Sequence, residues 1–158
     1  MSCCCSDVTG ITARHFDNER ARGELQAYHR KGPAPTTQHL LTGLRSLGGT
    51  RGSLLDIGAG IGVLTFELVK AGVNRAHCVD LSPAAVAIGQ AEAERQGCTD
   101  TIRWTEADFV AVAAELELAD VVSLDRVVCC YPAYRPLLEE AARHARRLLA
   151  VSYPRGRW

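Results

Sequence analysis

The chain has 158 residues, 47% of them hydrophobic, enough for one core and too few for two ordinary domains. Eighteen basic and eighteen acidic side chains cancel, so no global field favours nucleic acid, a membrane surface or a strongly acidic partner. No apolar run approaches the roughly eighteen residues of a spanning helix, and Met1-Ser2-Cys3 opens no targeting segment; a soluble cytoplasmic protein is expected. Cys3, Cys4, Cys5, Cys78, Cys98, Cys129 and Cys130 occur without a secretory signal or C-x-x-C spacing, so reduced thiols and no metal site are expected.

In chain order, a polar helix is predicted over about 13–31, interrupted by Gly32-Pro33-Ala34-Pro35 because proline lacks the amide a helix interior needs. A second helix follows, capped by Thr36 or Thr37, with Leu40, Leu41, Leu44 and Leu47 on one face and Gly48-Gly49 at its end. From Ser53 short apolar runs alternate with helical stretches, the pattern of βαβ units and a parallel sheet, which sets the class as α/β. Strands are predicted at 53–57, 76–80, 101–105, 120–124 and 148–152, and helices at 63–71, 83–96, 110–118 and 136–147. Ser82-Pro83 is a helix opening, the serine capping and the proline fitting the first turn.

The most informative run is Leu54-Leu55-Asp56-Ile57-Gly58-Ala59-Gly60-Ile61-Gly62, a buried strand ending in a glycine-rich turn that enters an amphipathic helix. Glycines let backbone approach a ligand, and the free amides of the helix start suit a carboxylate or phosphate, so a nucleotide-like ligand is expected. The dinucleotide pattern G-x-G-x-x-G would need glycine at position 63, where Val63 stands. Asp80 closes the second strand at the distance, some twenty-odd residues on, at which such folds place a ribose-binding acid; alone it implies a ribose without choosing the cofactor.

The D-x-G-x-G-x-G run from Asp56 to Gly62, then Asp80, then Glu106-Ala107-Asp108-Phe109 occur in an order and strand-helix context that resembles class I S-adenosylmethionine-dependent methyltransferases over 54–109. The resemblance implies a three-layer Rossmann-like methyltransferase fold with a mostly parallel sheet of about five strands, and S-adenosylmethionine as cofactor. It implies that Asp56 orients the methionine end, that Gly58, Gly60 and Gly62 cradle the ligand, and that Asp80 with Leu81 holds the ribose. Asp108 would accept from the adenine amine and Phe109 pack on the ring, although Phe109 also reads as core. A nicotinamide oxidoreductase is disfavoured by Val63.

Ligands of open parallel sheets sit beyond the carboxyl ends of the strands, so the segment 123–132 faces the reacting methyl group. It lacks the Asn-Pro-Pro-Tyr of amino-methylating enzymes, which weighs against nucleic acid and for a small-molecule acceptor. Asp125, Arg126 and Tyr131 are the catalytic candidates, with His15 and Arg155 as further ones; Arg126 also reads as surface and Tyr131 as core. Phe16-Asp17, Arg30-Lys31-Gly32, Tyr131-Pro132 and the 149–155 ending loosely resemble magnesium-protoporphyrin O-methyltransferases. Cys129-Cys130 together with Cys3-Cys4-Cys5 suggest a soft-metalloid site, against the commoner use of cysteine as a small apolar residue.

Residues 1–35 read as a tail and helical cap, and 36–158 as the cofactor-binding domain. The family carries two further strands in a hairpin that nothing after Ser152 supplies, so a shortened domain lacking the C-terminal hairpin is expected. Leu148, Leu149, Val151 and Tyr153 would then lie on an exposed edge, or be covered by a homodimer partner or another protein. A non-catalytic or partner-dependent cofactor-binding domain is the alternative to an enzyme.

Overall fold

Strand β1, Gly52–Ile57, is buried along nearly its whole length, as a central parallel strand covered on both faces must be. The computed structural model describes residues 18–153. Around β1 stand β2 (Val73–Asp80), β3 (Ile102–Glu106), β4 (Ala119–Asp125) and β5 (Ala145–Ser152), in the order β3-β2-β1-β4-β5. Every pair is parallel. The order reverses at β1, which opens a crevice between the carboxyl ends of β1 and β4.

Helices α1 (Asn18–Lys31), α2 (Pro35–Ser46), α3 (Val63–Ala71), α4 (Pro83–Gln96), the single turn α5 (Phe109–Val112) and α6 (Tyr134–His144) cover the sheet. The twofold alternation of strand side chains divides the core between its faces. Leu54, Cys78 and Val121 pack with Leu41, Phe66 and Ala93, whereas Leu55, Val79 and Val122 pack with Phe109, Leu137 and Ala141. These are the three layers expected. No helix among the described residues is long and apolar enough to cross a membrane.

The α3 and α4 bounds match the sequence expectation, and Ser82 Oγ accepts from the Ala85 amide at 3.2 Å as a cap. Strand β2 starts three residues before the predicted 76, and β3 runs one residue later than predicted; three helices also differ. Helix α2 starts at Pro35 with Ala34 as its cap residue; the ring fits the first turn, which moves Thr36 and Thr37 inside the helix. The predicted 110–118 helix is one α-turn followed by a 3-10 turn, Ala113–Glu115. The predicted 136–147 helix stops at His144, because Ala145 already pairs with Ala119 and Arg146 and Arg147 belong to β5.

Helix α1 is tied down at two places. Tyr28 donates to Glu67 at 2.7 Å and receives from Lys70 at 2.8 Å, while His29 meets the buried Glu92 at 3.1 Å. On α4, a Cβ added to Gly89 would stand 2.2 Å from Trp104 Cη2, so Gly89→Ala forces the indole to shift and is expected to cost about 1–3 kcal/mol. Urea unfolding checks this: the cost shrinks in a Trp104→Phe background if the indole is the obstacle, and an equal cost in both backgrounds rejects it.

Candidate functional site

The turn after β1 bends back over β2, with the Gly58 amide donating to the Val79 carbonyl at 2.8 Å. Gly58 has φ +65° and its hypothetical Cβ would lie 2.5 Å from a Val127 methyl, so the β4 side packs directly on this turn. Gly60 differs: at φ +57° its Cβ would meet nothing nearer than Glu24 Oε2 at 3.8 Å. The space in front of Gly60 is therefore open, which is the form of a backbone cradle. Gly62 caps α3 and faces Trp104.

Asp56, from β1, is 1% exposed and accepts from Thr65 and Ser123 hydroxyls, each at 2.7 Å. Burial outweighs these hydrogen bonds and pushes its carboxyl up to about 6. Asp80 ends β2, accepting from the Gly60 amide and the Ser82 amide, both at 2.8 Å. It therefore joins the glycine turn to the α4 start; burial raises its pKa. Adjacent Leu81 is partly exposed and lines the same cavity.

Asp108 opens α5, its Oδ1 accepting from the Val110 amide at 3.0 Å. Tyr131 Oη donates to the same carboxylate at 2.9 and 3.0 Å, and burial with the adjoining carboxylate pushes the phenol up to about 12. Phe109 is buried and packs edge-on against His144, with ring centroids 5.4 Å apart, yet also borders the cavity. Phe109 is thus a core residue that also forms part of the cavity wall.

At the end of β4, Asp125 accepts from Thr37 and Ser152 hydroxyls, each at 2.5 Å, which ties α2, β4 and β5 together. Arg126 has φ +61°, in the left-handed region, and its amide donates to Ser152 Oγ at 2.9 Å. Its guanidinium reaches Glu24 at 3.4 Å and Asp125 at 3.9 Å. Cys129 and Cys130 carry thiols, their sulfurs 3.4 Å apart, on the same cavity wall. His15, Arg155 and Cys3-Cys4-Cys5 lie outside the described residues.

These groups surround one cavity of about 960 Å³, roofed by α1 and the α1–α2 connection. A volume of that size is at the top of the range of about 300–1,000 Å³ for small-ligand sites. The contacts of Thr37, Ser152, Ser123, Thr65 and Glu24 at this site were not anticipated from the sequence, which offered Thr37 as a helix cap and Ser123 as the start of the 123–132 segment. Each reaches its partner from another element, and only a helical register placing Glu24 four residues from Tyr28 hints that the two share a face of α1.

A parallel sheet of order 3-2-1-4-5 with a glycine turn and an acid at its first two strand ends is a Rossmann-like arrangement, consistent with a class I methyltransferase fold. A family profile described as a methyltransferase domain matches residues 54–151, and the chain belongs to that family. The ribosomal protein L11 methyltransferase of Geobacter metallireducens is 33% identical over 96 residues, 61% of this chain and 32% of its own length. That of Glaesserella parasuis is 36% identical over 72 residues, 46% and 24% of the two chains. The chain thus spans about a third or less of the curated relatives it matches. The magnesium protoporphyrin IX methyltransferase of Synechocystis PCC 6803, with SAM bound, superposes with a TM-score of 0.71 at 21% identity, over 98% of this chain and 80% of that one. At that identity the likeness establishes the fold.

Proposed function

We propose that the protein binds S-adenosylmethionine in this cavity and transfers its methyl group to a small molecule. The observation that carries the reading is the Gly60 amide held by Asp80 at 2.8 Å beneath open space. An ionised carboxylate has about four acceptor positions, so Asp80 retains capacity for both ribose hydroxyls after its two amides. Asp108 likewise has capacity for the adenine amine beside Tyr131, and Phe109 and Leu81, on the same cavity wall, would supply apolar contact to the nucleoside. The Gly58–Gly62 turn then receives the methionine end, and the buried Asp56 fixes the strand end beneath it.

The cofactor supplies a methyl group on a positively charged sulfur, which is already an activated leaving group. The protein's share is to hold the acceptor in line and to exclude water. Helices α1 and α2 roof the cavity, and its volume leaves room for a second small molecule beside the cofactor. Asp125 and Tyr131 flank the acceptor end. Asp125 already accepts from two hydroxyls and Tyr131 is held protonated, so an acceptor that arrives ionised, a carboxylic acid or an acidic phenol, fits better than one needing a strong base. A roofed cavity suits such a molecule rather than a segment of protein or nucleic acid, and the Synechocystis magnesium protoporphyrin IX methyltransferase has the same fold over 98% of this chain.

The test is release of S-adenosylhomocysteine from S-adenosylmethionine with a panel of carboxylic acids and phenols. Asp80→Ala removes hydrogen bonds to a charged group, each worth about 1.5–3 kcal/mol, and is expected to lower turnover at limiting cofactor at least about tenfold. Equal turnover in both proteins would reject the assigned site.

A further inference from the structure

The ion pair between Glu24 of α1 and Arg126 after β4 joins the roof of the cavity to the sheet at the methionine end. At 3.4 Å, between side chains 36% and 47% exposed, it is a loose pair of the kind that contributes little by itself. Arg126 nevertheless holds a left-handed backbone, φ +61°, that a residue with a side chain adopts only at a cost. That conformation sits one residue past the strand end, with the backbone amide anchored on Ser152 at 2.9 Å. It fixes the base of a side chain that borders the cavity.

Glu24 faces the same place from above. One oxygen meets Arg126, and the other lies 3.8 Å from where a Cβ on Gly60 would stand. Of the nearby carboxylates, Asp56 is 1% exposed with both oxygens accepting hydroxyls, and Asp125 is clamped by Thr37 and Ser152. Arg20 and Lys31 are the other cations on the roof. An opposed carboxylate and guanidinium above an open glycine turn complement one ligand chemistry: an amino-acid end carrying both an ammonium and a carboxylate.

We propose that Glu24 and Arg126 bind the amino-acid end of the cofactor, Glu24 accepting from the ammonium and Arg126 donating to the carboxylate. Their mutual pair is exchanged for these two contacts on binding. This rests on the cofactor reading above and transfers the ammonium from Asp56, which sits beneath the turn, to a residue of the roof. Loading of the site thereby pins α1 over it, and a nucleoside without the amino-acid end does not.

Calorimetric titration of the full chain with S-adenosylhomocysteine and with 5′-methylthioadenosine, which keeps the nucleoside and lacks the amino-acid end, tests the proposal. Glu24→Gln and Arg126→Gly are each expected to weaken S-adenosylhomocysteine at least about tenfold while methylthioadenosine stays within about twofold. Arg126→Gly is also expected to raise the Tm of the ligand-free protein, because glycine takes the left-handed backbone without strain. A reversed pair, Glu24→Arg with Arg126→Glu, preserves a roof-to-sheet ion pair and is expected to remain weak toward S-adenosylhomocysteine. The proposal is overturned if both single variants bind S-adenosylhomocysteine as wild type does, if both ligands weaken together, or if the reversed pair restores binding. Wild type that binds neither ligand instead removes the cofactor reading itself.

Discussion

Gly60→Val is expected to lower the affinity for S-adenosylhomocysteine at least about 100-fold, near 2.7 kcal/mol, while the protein stays folded. The two effects separate because of what surrounds the position. A Cβ there meets only Glu24 Oε2, at 3.8 Å, so the fold has space for it. The remaining cost is a side chain at φ +57°, roughly 1–2 kcal/mol, which for a chain of this size lowers Tm by about 2–8 °C. The added methyl groups, however, fill the space in front of the Gly60 amide where the ligand is to lie. Gly58→Val is the contrasting variant, since its Cβ would collide with Val127 at 2.5 Å and damage the fold as well as the site. Titration paired with thermal unfolding distinguishes the two. Undiminished affinity in folded Gly60→Val would remove the cradle from the account.

Asp56→Asn is expected to stabilise the protein at neutral pH, and by an amount that depends on pH. The folded carboxyl titrates at about 6 against an ordinary value of 3.8, so between those values the native state binds the proton more tightly than the unfolded chain. Stability from this group is therefore full below about pH 4 and is lost as pH rises through 6. Two units correspond to about 3 kcal/mol at 1.36 kcal/mol per unit. Asparagine carries no charge to bury, and the Thr65 and Ser123 hydroxyls can turn to serve its oxygen and its amide. Urea unfolding from pH 4 to pH 7.5 should show the variant and wild type converging at the acid end, with the variant more stable by up to about 3 kcal/mol at the other. A variant less stable than wild type throughout would mean that Asp56 is ionised and well solvated by its partners in the fold.

The glycine turn and the strand ends that border the cavity were largely legible because their signals are local. A buried strand, a glycine turn and an acid at the next strand end occur within a single βα unit and the strand after it, and the Gly60–Asp80 contact spans only twenty residues. Ser82-Pro83 opened its helix as read. Boundaries failed where tertiary pairing overrode helical pattern: Arg146 and Arg147 continue the periodicity of α6, yet Ala145 pairs with Ala119 and starts β5. The helices that form the roof were legible, but their contacts were not. Thr37 reaches Asp125 across 88 positions and Glu24 reaches Arg126 across 102, and no spacing rule connects residues that only folding brings together. Arg126 could be read as surface or as site, and only its backbone conformation and its contact with α1 favour the second.

Titration of the purified protein with S-adenosylhomocysteine, using NAD as the competing dinucleotide, tests most directly whether the cavity is built for the proposed cofactor. Micromolar binding of S-adenosylhomocysteine without detectable binding of NAD is the expected result: Asp80 serves the ribose of either ligand, whereas the turn with Val63 and the Glu24–Arg126 pair favour an amino-acid end over a second nucleotide. Binding of NAD, or no binding of S-adenosylhomocysteine to protein shown to be folded, would contradict it.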